Sequence, residues 1–379
     1  MKILSYKYSD AINDDAHWDF SEVNFHDTNL LVGDSGTGKT RFLNTIFSLG
    51  AMAASSNKIF SGRWIIKFKI DSDEYSWTIN SIENDQKGVV IDFERLIKTN
   101  KAKETQVLIE RDSAKFLFLG NQLPKLSDNQ TSISLLMNEE TIRPIHKGFS
   151  QILRRYFSFD TLSKATEIQI IGSDYLNKIV KEKKLDELFL TDASLNSKLV
   201  ILNKNFPKVY QNIIQYYMNI FPFIDSTAIV DINKINNWVI SKAQLPVFCI
   251  REKSVQKQIQ ISELSSGMLK VLLILTDIFL LPNGSIYLID EYENSLGINP
   301  IGFLPDLIEE IDKDIQVIIT SHHPYVINNI PMQDWFVFHR KGSNVTIVAG
   351  EELEKKYGPS KQKAFIQLIN DPNFTSGIE

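Results

Sequence analysis

The sequence predicts an α/β fold, and three observations carry the prediction. The apolar stretch Asn29-Leu30-Leu31-Val32 runs into a glycine-rich turn and then into Arg41-Phe42-Leu43-Asn44-Thr45-Ile46-Phe47, a helical pattern. A second apolar stretch, Ser285-Ile286-Tyr287-Leu288-Ile289, ends in two acids, Asp290 and Glu291. From residue 246 to about residue 348, strand and helix patterns alternate, as they do where helices cover a sheet on both faces.

The turn in the first of these is the octet Gly33-Asp34-Ser35-Gly36-Thr37-Gly38-Lys39-Thr40. It fits the phosphate-binding pattern G-x-x-x-x-G-K-[ST] without a mismatch, between a strand and a helix as that pattern requires. Glycines let backbone N–H groups turn inward around a phosphate chain where a side chain would collide. The helix N-terminus adds partial positive charge at the same point. Lys39 is expected to reach the β- and γ-phosphates and the Thr40 hydroxyl to bind Mg²⁺, with Arg41 beside them on the nucleotide.

At 379 residues the chain is long for one domain and predicts two lobes. Hydrophobic content of 43% and charged content of 23% are ordinary for a globular protein. A net charge of −5 excludes a polyanion-binding protein that works by overall charge, so nucleic acid would need a local basic patch. Six histidines and one cysteine offer no metal-ligand or disulfide framework, and Cys249, within Val247-Phe248-Cys249-Ile250, reads as a buried core thiol. Met1-Lys2-Ile3-Leu4-Ser5-Tyr6 turns polar at once, unlike a secretory leader. The longest apolar run, 268–281, is broken by Lys270, Thr276 and Asp277 and falls short of a membrane span. A cytoplasmic location without a membrane partner is the expectation.

Between the two nucleotide-type motifs lies a long insertion. Residues 61–131 read as an antiparallel β-meander: Trp64-Ile65-Ile66-Lys67-Phe68-Lys69-Ile70 and Glu74-Tyr75-Ser76-Trp77-Thr78-Ile79 flank the turn Asp71-Ser72-Asp73. Residues 132–244 read as a helical lobe, with Ile152, Leu153, Tyr156 and Phe157 at helical spacing and a second apolar face of Tyr210, Ile213, Ile214, Tyr217 and Ile220. No heptad is sustained, so no long coiled-coil arm is expected. Residues 1–60 and 245–350 then form the nucleotide-binding core, and 351–379 a helical tail that starts as a solvated helix.

Asp290 and Glu291 sit where a buried parallel strand ends, the edge at which such sheets place ligand groups. Asp290 is expected to hold Mg²⁺ opposite Thr40, and Glu291 to orient or deprotonate the attacking water. His322, after the strand Ile315-Gln316-Val317-Ile318, is placed to bond a γ-phosphate or that water, while His323 points elsewhere. Leu264-Ser265-Ser266-Gly267 opens a long apolar helix, with Ser265 or Ser266 as its N-cap and Gly267 admitting a phosphate, a second anion site.

In this order, the glycine loop, the insertion, Ser265-Ser266-Gly267, Asp290-Glu291 and Ser321-His322 resemble ABC-type ATPase heads, nearest the SMC, RecF and OLD-like branch without a Toprim nuclease. The resemblance covers roughly 1–60 and 245–350. It implies a P-loop NTPase with a β-meander subdomain and an inserted helical lobe, binding ATP with Mg²⁺. It makes Ser265, Ser266 and Gly267 the signature segment, and Glu293-Asn294-Ser295-Leu296-Gly297 the D-loop, with Tyr292 just before it in place of a proline and Gly297 in place of a histidine. The family's Q-loop glutamine has two candidates, Gln122 and Gln130. The resemblance further implies a head-to-head homodimer that sandwiches nucleotide, each P-loop facing the partner's signature.

The segment after His322 is shorter than the roughly one hundred residues a nuclease domain needs. Any cutting is therefore expected from a separate effector, a nuclease or a toxin, and the resemblance extends to ATPase subunits of anti-phage defence systems. The alternative is a DNA-handling ATPase whose basic groove draws on Lys178, Lys181, Lys183 and Lys184 with Arg154 and Arg155. The long insertion argues against a transporter subunit. AAA+ proteins hold their phosphate and acidic motifs far closer in sequence and lack the Ser-Ser-Gly helix.

Overall fold

The computed structural model describes residues 1–10, 17–55, 59–124, 127–169, 181, 184–189, 191–235, 245–294, 296, 303–311, 313–358 and 360. The chain divides into two compact units, one of Met1–Arg155, Asn283–Tyr292 and Ile308–Glu379, the other of Tyr156–Pro282 and Glu293–Leu307. The described strands, in chain order, are β1 (Lys2–Ser9), β2 (Asp19–Asn24), β3 (Thr28–Val32), β4 (Gly62–Ile70), β5 (Asp73–Asn84), β6 (Gly88–Thr99), β7 (Thr105–Arg111), β8 (Phe116–Phe118), β9 (Asn121–Gln122), β10 (Ile152–Arg155), β11 (Ile224–Asp231), β12 (Pro246–Glu252), β13 (Ile259–Gln260), β14 (Ser285–Ile289), β15 (Ile315–Thr320), β16 (Trp335–Lys341) and β17 (Asn344–Ala349).

The first unit is built on one sheet in the order β10-β14-β15-β3-β16-β17-β2-β1-β4-β5-β6-β7-β8-β9. From β10 to β16 neighbouring strands pair in parallel, and from β1 to β9 they form an antiparallel meander. The residues explain the change. Every residue of β14 and β15 is buried, as a sheet covered on both faces demands. β5 instead alternates, with Tyr75, Trp77, Ile79 and Ser81 buried and Ser76, Thr78 and Asn80 toward the other face. The meander expected over 61–131 is thus present as a continuation of the main sheet, joined where β1 pairs with β4.

The helix Lys39–Ala54 packs on this sheet through Phe42, Leu43, Ile46 and Leu49, all at most 1% exposed. Each such side chain contributes on the order of 2 kcal/mol of burial. A Cβ at Gly50 would stand 3.0 Å from the Ile152 Cδ1, so this glycine lets the helix approach β10.

Three expectations are corrected. Ile152 and Leu153 lie on a strand, not a helix, residues 132–155 group with the first unit, and residues 245–282 and 293–307, expected in the nucleotide-binding core, group with the second. A four-residue apolar-to-basic run carries no decisive period. The open edge of β14 settles it by supplying a parallel ladder for Ile152–Arg155.

The second unit holds the helices Leu195–Asn205, Pro207–Ile220 and Ser266–Leu280 and the sheet β11-β12-β13. Of the apolar face expected at Tyr210, Ile213, Ile214, Tyr217 and Ile220, the first four are buried and Ile220 is half-buried, and Tyr216 meets Phe279 of the third helix with ring centroids 5.8 Å apart. Cys249 on β12 is buried, and that burial pushes its thiol up to about 11. No helix among the described residues is long and apolar enough to cross a membrane.

Candidate functional site

β3 and β15 run parallel side by side, with β14 next to β15, so their carboxyl ends meet at one edge of the first unit. β3 delivers the glycine loop there and β14 delivers Asp290 and Glu291. Across a separation of 250 residues, the Thr40 Oγ1 donates to the Asp290 Oδ1 at 3.1 Å. The two expected metal ligands are therefore neighbours.

In the loop, Gly36 and Gly38 take φ of 85° and 96°, backbone that favours glycine. A Cβ on Gly38 would also stand 2.7 Å from the Trp18 ring. The Lys39 Nζ donates to the carbonyls of Gly33 at 2.5 Å and Asp34 at 2.8 Å, which lays its ammonium along the loop. The Thr37 Oγ1 ties the loop to the Asp34 carbonyl at 2.8 Å. Ser35 and Gly36 are exposed at the crest.

Sequence reasoning missed the clamp outside the loop. Trp18 packs against Phe20, and the Arg340 and Arg41 guanidiniums lie 4.2 and 4.9 Å from its ring. The Arg340 Nη1 also donates to the Gly36 carbonyl at 2.9 Å. Arg41, expected on the nucleotide, forms an ion pair with Asp10 at 2.7 Å, and Asp10 accepts from the Trp18 N–H and the Tyr8 hydroxyl. These contacts hold the loop in shape before any ligand is considered.

Asp290 is 1% exposed and has partners on both oxygens. Oδ1 accepts from the hydroxyls of Thr320 at 2.7 Å and Thr40 at 3.1 Å, and Oδ2 from the Arg154 Nη2 at 3.0 Å. Thr320 serves both acids, because its Oγ1 also accepts from the Glu291 N–H at 2.8 Å. Glu291 is exposed with φ of 48°, a conformation a non-glycine residue adopts only when its surroundings impose it. The backbone bond from Tyr292 N to the Thr320 carbonyl, 3.1 Å, and the burial of Tyr292 supply that constraint.

His322 is exposed just beyond β15, whose end is fixed to β3 by the bond from Ser321 N to the Leu31 carbonyl at 3.2 Å. His323 turns away as expected: its Nδ1 accepts from the Tyr325 N–H and caps the helix Pro324–Asn329. In the second unit, Ser265 and not Ser266 is the N-cap of Ser266–Leu280, its Oγ accepting from the Met268 N–H at 3.3 Å. Ser265 and Ser266 are exposed there, so that helix end presents free N–H groups to solvent. Ser295, Gly297 and Pro300, like Lys178 and Lys183, lie outside the described residues. Of the Q-loop candidates, Gln122 stands on β9, at the opposite end of the sheet from β10 and β14, and Gln130 offers its carbonyl to Arg111.

The residues fit a magnesium nucleotide. The loop has no side chain where Gly38 meets Trp18, and the donors at its foot are hard oxygens, a hydroxyl and a carboxylate. Mg²⁺ takes one or two such protein ligands and keeps waters. Thr40 and Asp290 would hold it, and it would supply positive charge to the phosphates.

The fold and this edge define a P-loop NTPase head. The chain belongs to the AAA_21 family, described as "AAA domain, putative AbiEii toxin, Type IV TA system", whose model matches residues 28–328. An SMC head bound to the C-terminal winged-helix domain of ScpA is similar over 94% of this chain and 100% of that one, at 12% identity and a TM-score of 0.50. An SMC head from Thermotoga maritima has 13% identity, with 92% and 99% of the two chains covered and a TM-score of 0.40. A Pyrococcus furiosus Smc head with an extended coiled coil, bound to the C-terminal domain of ScpA, has 12% identity, 94% and 98% coverage and a TM-score of 0.46. No curated protein matches the chain.

Proposed function

We propose that this protein is a switch ATPase that binds Mg²⁺·ATP at residues 33–40, closes into a homodimer around it, and controls a separate effector protein. The observation that carries the reading is the 3.1 Å contact between Thr40 and Asp290. Lys39 and the loop N–H groups hold the β- and γ-phosphates. Glu291 orients and deprotonates the attacking water, and His322 bonds the γ-phosphate or that water. Ser265, Ser266 and Gly267 of one copy meet the nucleotide of the other through the exposed helix end. Turnover is slow and partner-regulated. The toxin–antitoxin description of the family supports a role in anti-phage defence, with a nuclease or toxin as effector. The SMC head bound to ScpA shows that a head of this fold can engage a separate protein.

Light scattering of Glu291→Gln with and without Mg²⁺·ATP tests the switch. The expected result is a doubling of mass on adding nucleotide. Unchanged mass with nucleotide bound contradicts the dimer.

One observation favours a second reading, a nucleic-acid-handling ATPase. Among the described residues Lys7, Arg63, Lys67, Lys69 and Arg95 form no ion pair, and the registers β1–β4, β4–β5 and β5–β6 set them on the solvent face of the sheet with Ser76, Thr78 and Asn80. The acids on or beside this face are Asp19, Glu74 opposite Lys69, Asp92, which accepts from the Asn80 amide, and Glu110, opposite Arg95 and paired with Lys115. Duplex DNA binding that weakens with salt and is lost on reversing Lys67 and Arg95 to Glu supports this reading. Salt-insensitive binding, or none, removes it.

A further inference from the structure

β10 places a basic side chain against the buried Asp290 carboxylate. Residues alternate faces along a strand, so Arg154 shares a face with Ile152, which packs at Gly50 on the P-loop helix. The parallel register sets Arg154 opposite Leu288 and Arg155 opposite Ile289, and the Asp290 N–H donates to the Arg155 carbonyl at 3.3 Å. The Arg154 guanidinium thus reaches the Asp290 Oδ2 at 3.0 Å, with its own side chain 19% exposed and the carboxylate 1%. Its Nε is buried with no hydrogen-bond partner, so the guanidinium is only partly satisfied where it sits. A buried carboxylate needs a counter-charge, and here Arg154 supplies it.

We infer that Arg154 competes with Mg²⁺ for the Asp290 carboxylate and so sets the metal requirement for nucleotide binding. The inference rests on the reading of Asp290 as the metal ligand. Arg154 and the cation are like charges that cannot share a buried oxygen without repulsion, so the ion pair gives way as the metal arrives. Arg154 is a positioning residue in this scheme.

The test is a Mg²⁺ titration of the full chain with a fluorescent, non-hydrolysable ATP analogue, read as the Mg²⁺ concentration at half-maximal binding. Arg154→Met keeps the apolar stem and removes the competing charge. The expected result is a rise in apparent Mg²⁺ affinity by about tenfold. Arg154→Met is also expected to lose thermal stability without Mg²⁺ and to recover it with Mg²⁺ alone, more than the wild type does. Arg154→Lys holds the charge less rigidly and is expected to lie between the two; it carries the test should Arg154→Met not fold. Unchanged or weaker Mg²⁺ affinity in the variant that folds overturns the inference while the wild type still binds with Mg²⁺. A wild type that takes the analogue with no response to Mg²⁺ overturns the metal reading and the inference with it.

Discussion

Thr320 is the residue through which the two acids depend on each other, and Thr320→Val exposes that dependence. Valine keeps the shape and removes the hydroxyl. Two hydrogen bonds go: one to the buried Asp290 carboxylate at 2.7 Å, one from the Glu291 N–H at 2.8 Å. A bond to a charged group contributes about 1.5–3 kcal/mol, and an unpaired N–H costs about 1–3 kcal/mol where water cannot reach it. The Glu291 N–H bond is only partly buried, so the second contribution is taken at the low end, near zero. The net expected loss is about 1.5–3 kcal/mol of folding stability. Function should suffer separately, because the strained backbone of Glu291, φ 48°, loses one of its tethers. Turnover is expected to fall by about tenfold or more while ATP affinity changes little. The assay is urea denaturation at constant m, with steady-state ATPase kinetics, and Thr320→Ser as the control that keeps both bonds. A loss below about 0.5 kcal/mol, with kcat intact, would refute the reasoning.

Three further outcomes follow from the same geometry. Gly38→Ala should abolish nucleotide binding in equilibrium dialysis, since the new Cβ meets the Trp18 ring at 2.7 Å and φ of 96° disfavours any side chain; retained affinity contradicts the clamp. Arg340→Ala removes the bond to the Gly36 carbonyl and one face of the Trp18 stack, and should weaken ATP binding by about tenfold or less with little loss of stability, measured by calorimetry. Glu94, buried beneath the meander, accepts from the Trp77 indole and from Ser132, yet burial raises its carboxyl above the usual value. The folded state therefore binds the extra proton, and stability falls as pH rises from the unfolded value, about 4.5, through the raised one. Glu94→Gln should remove that slope in denaturation curves taken upward from pH 4; parallel curves for the two proteins contradict it.

How much of this was legible in the sequence depends on whether a residue's role is set locally. The glycine loop and the acidic end of β14 are local codes: strand, turn and helix occupy consecutive residues, and a run such as Ser285–Ile289 announces its own burial. The sequence also fixes the β3–helix and β14 placements closely enough to pair Thr40 with Asp290 before any coordinates. Arg154 and Thr320 are different. Their importance comes from β10 lying next to β14 and β14 next to β15, and strand adjacency is a property of the sheet. A basic pair after two apolar residues, Ile152-Leu153-Arg154-Arg155, reads equally as a helix face or a groove lining. Trp18 and Arg340 were missed for a related reason. They meet the loop from separate strands, and only a lone aromatic just before β2 and a basic residue late in β16 hinted at it.

The central claim is that Thr40 and Asp290 act on one bound cation. A double-mutant cycle on Mn²⁺ affinity in the presence of an ATP analogue, followed by electron paramagnetic resonance, tests it most directly with Thr40→Ala, Asp290→Asn and the pair. Ligands of a common ion, 3.1 Å apart, should be strongly non-additive, with a coupling of at least about 1 kcal/mol. Purely additive losses, or Mn²⁺ binding indifferent to both substitutions, would contradict the account.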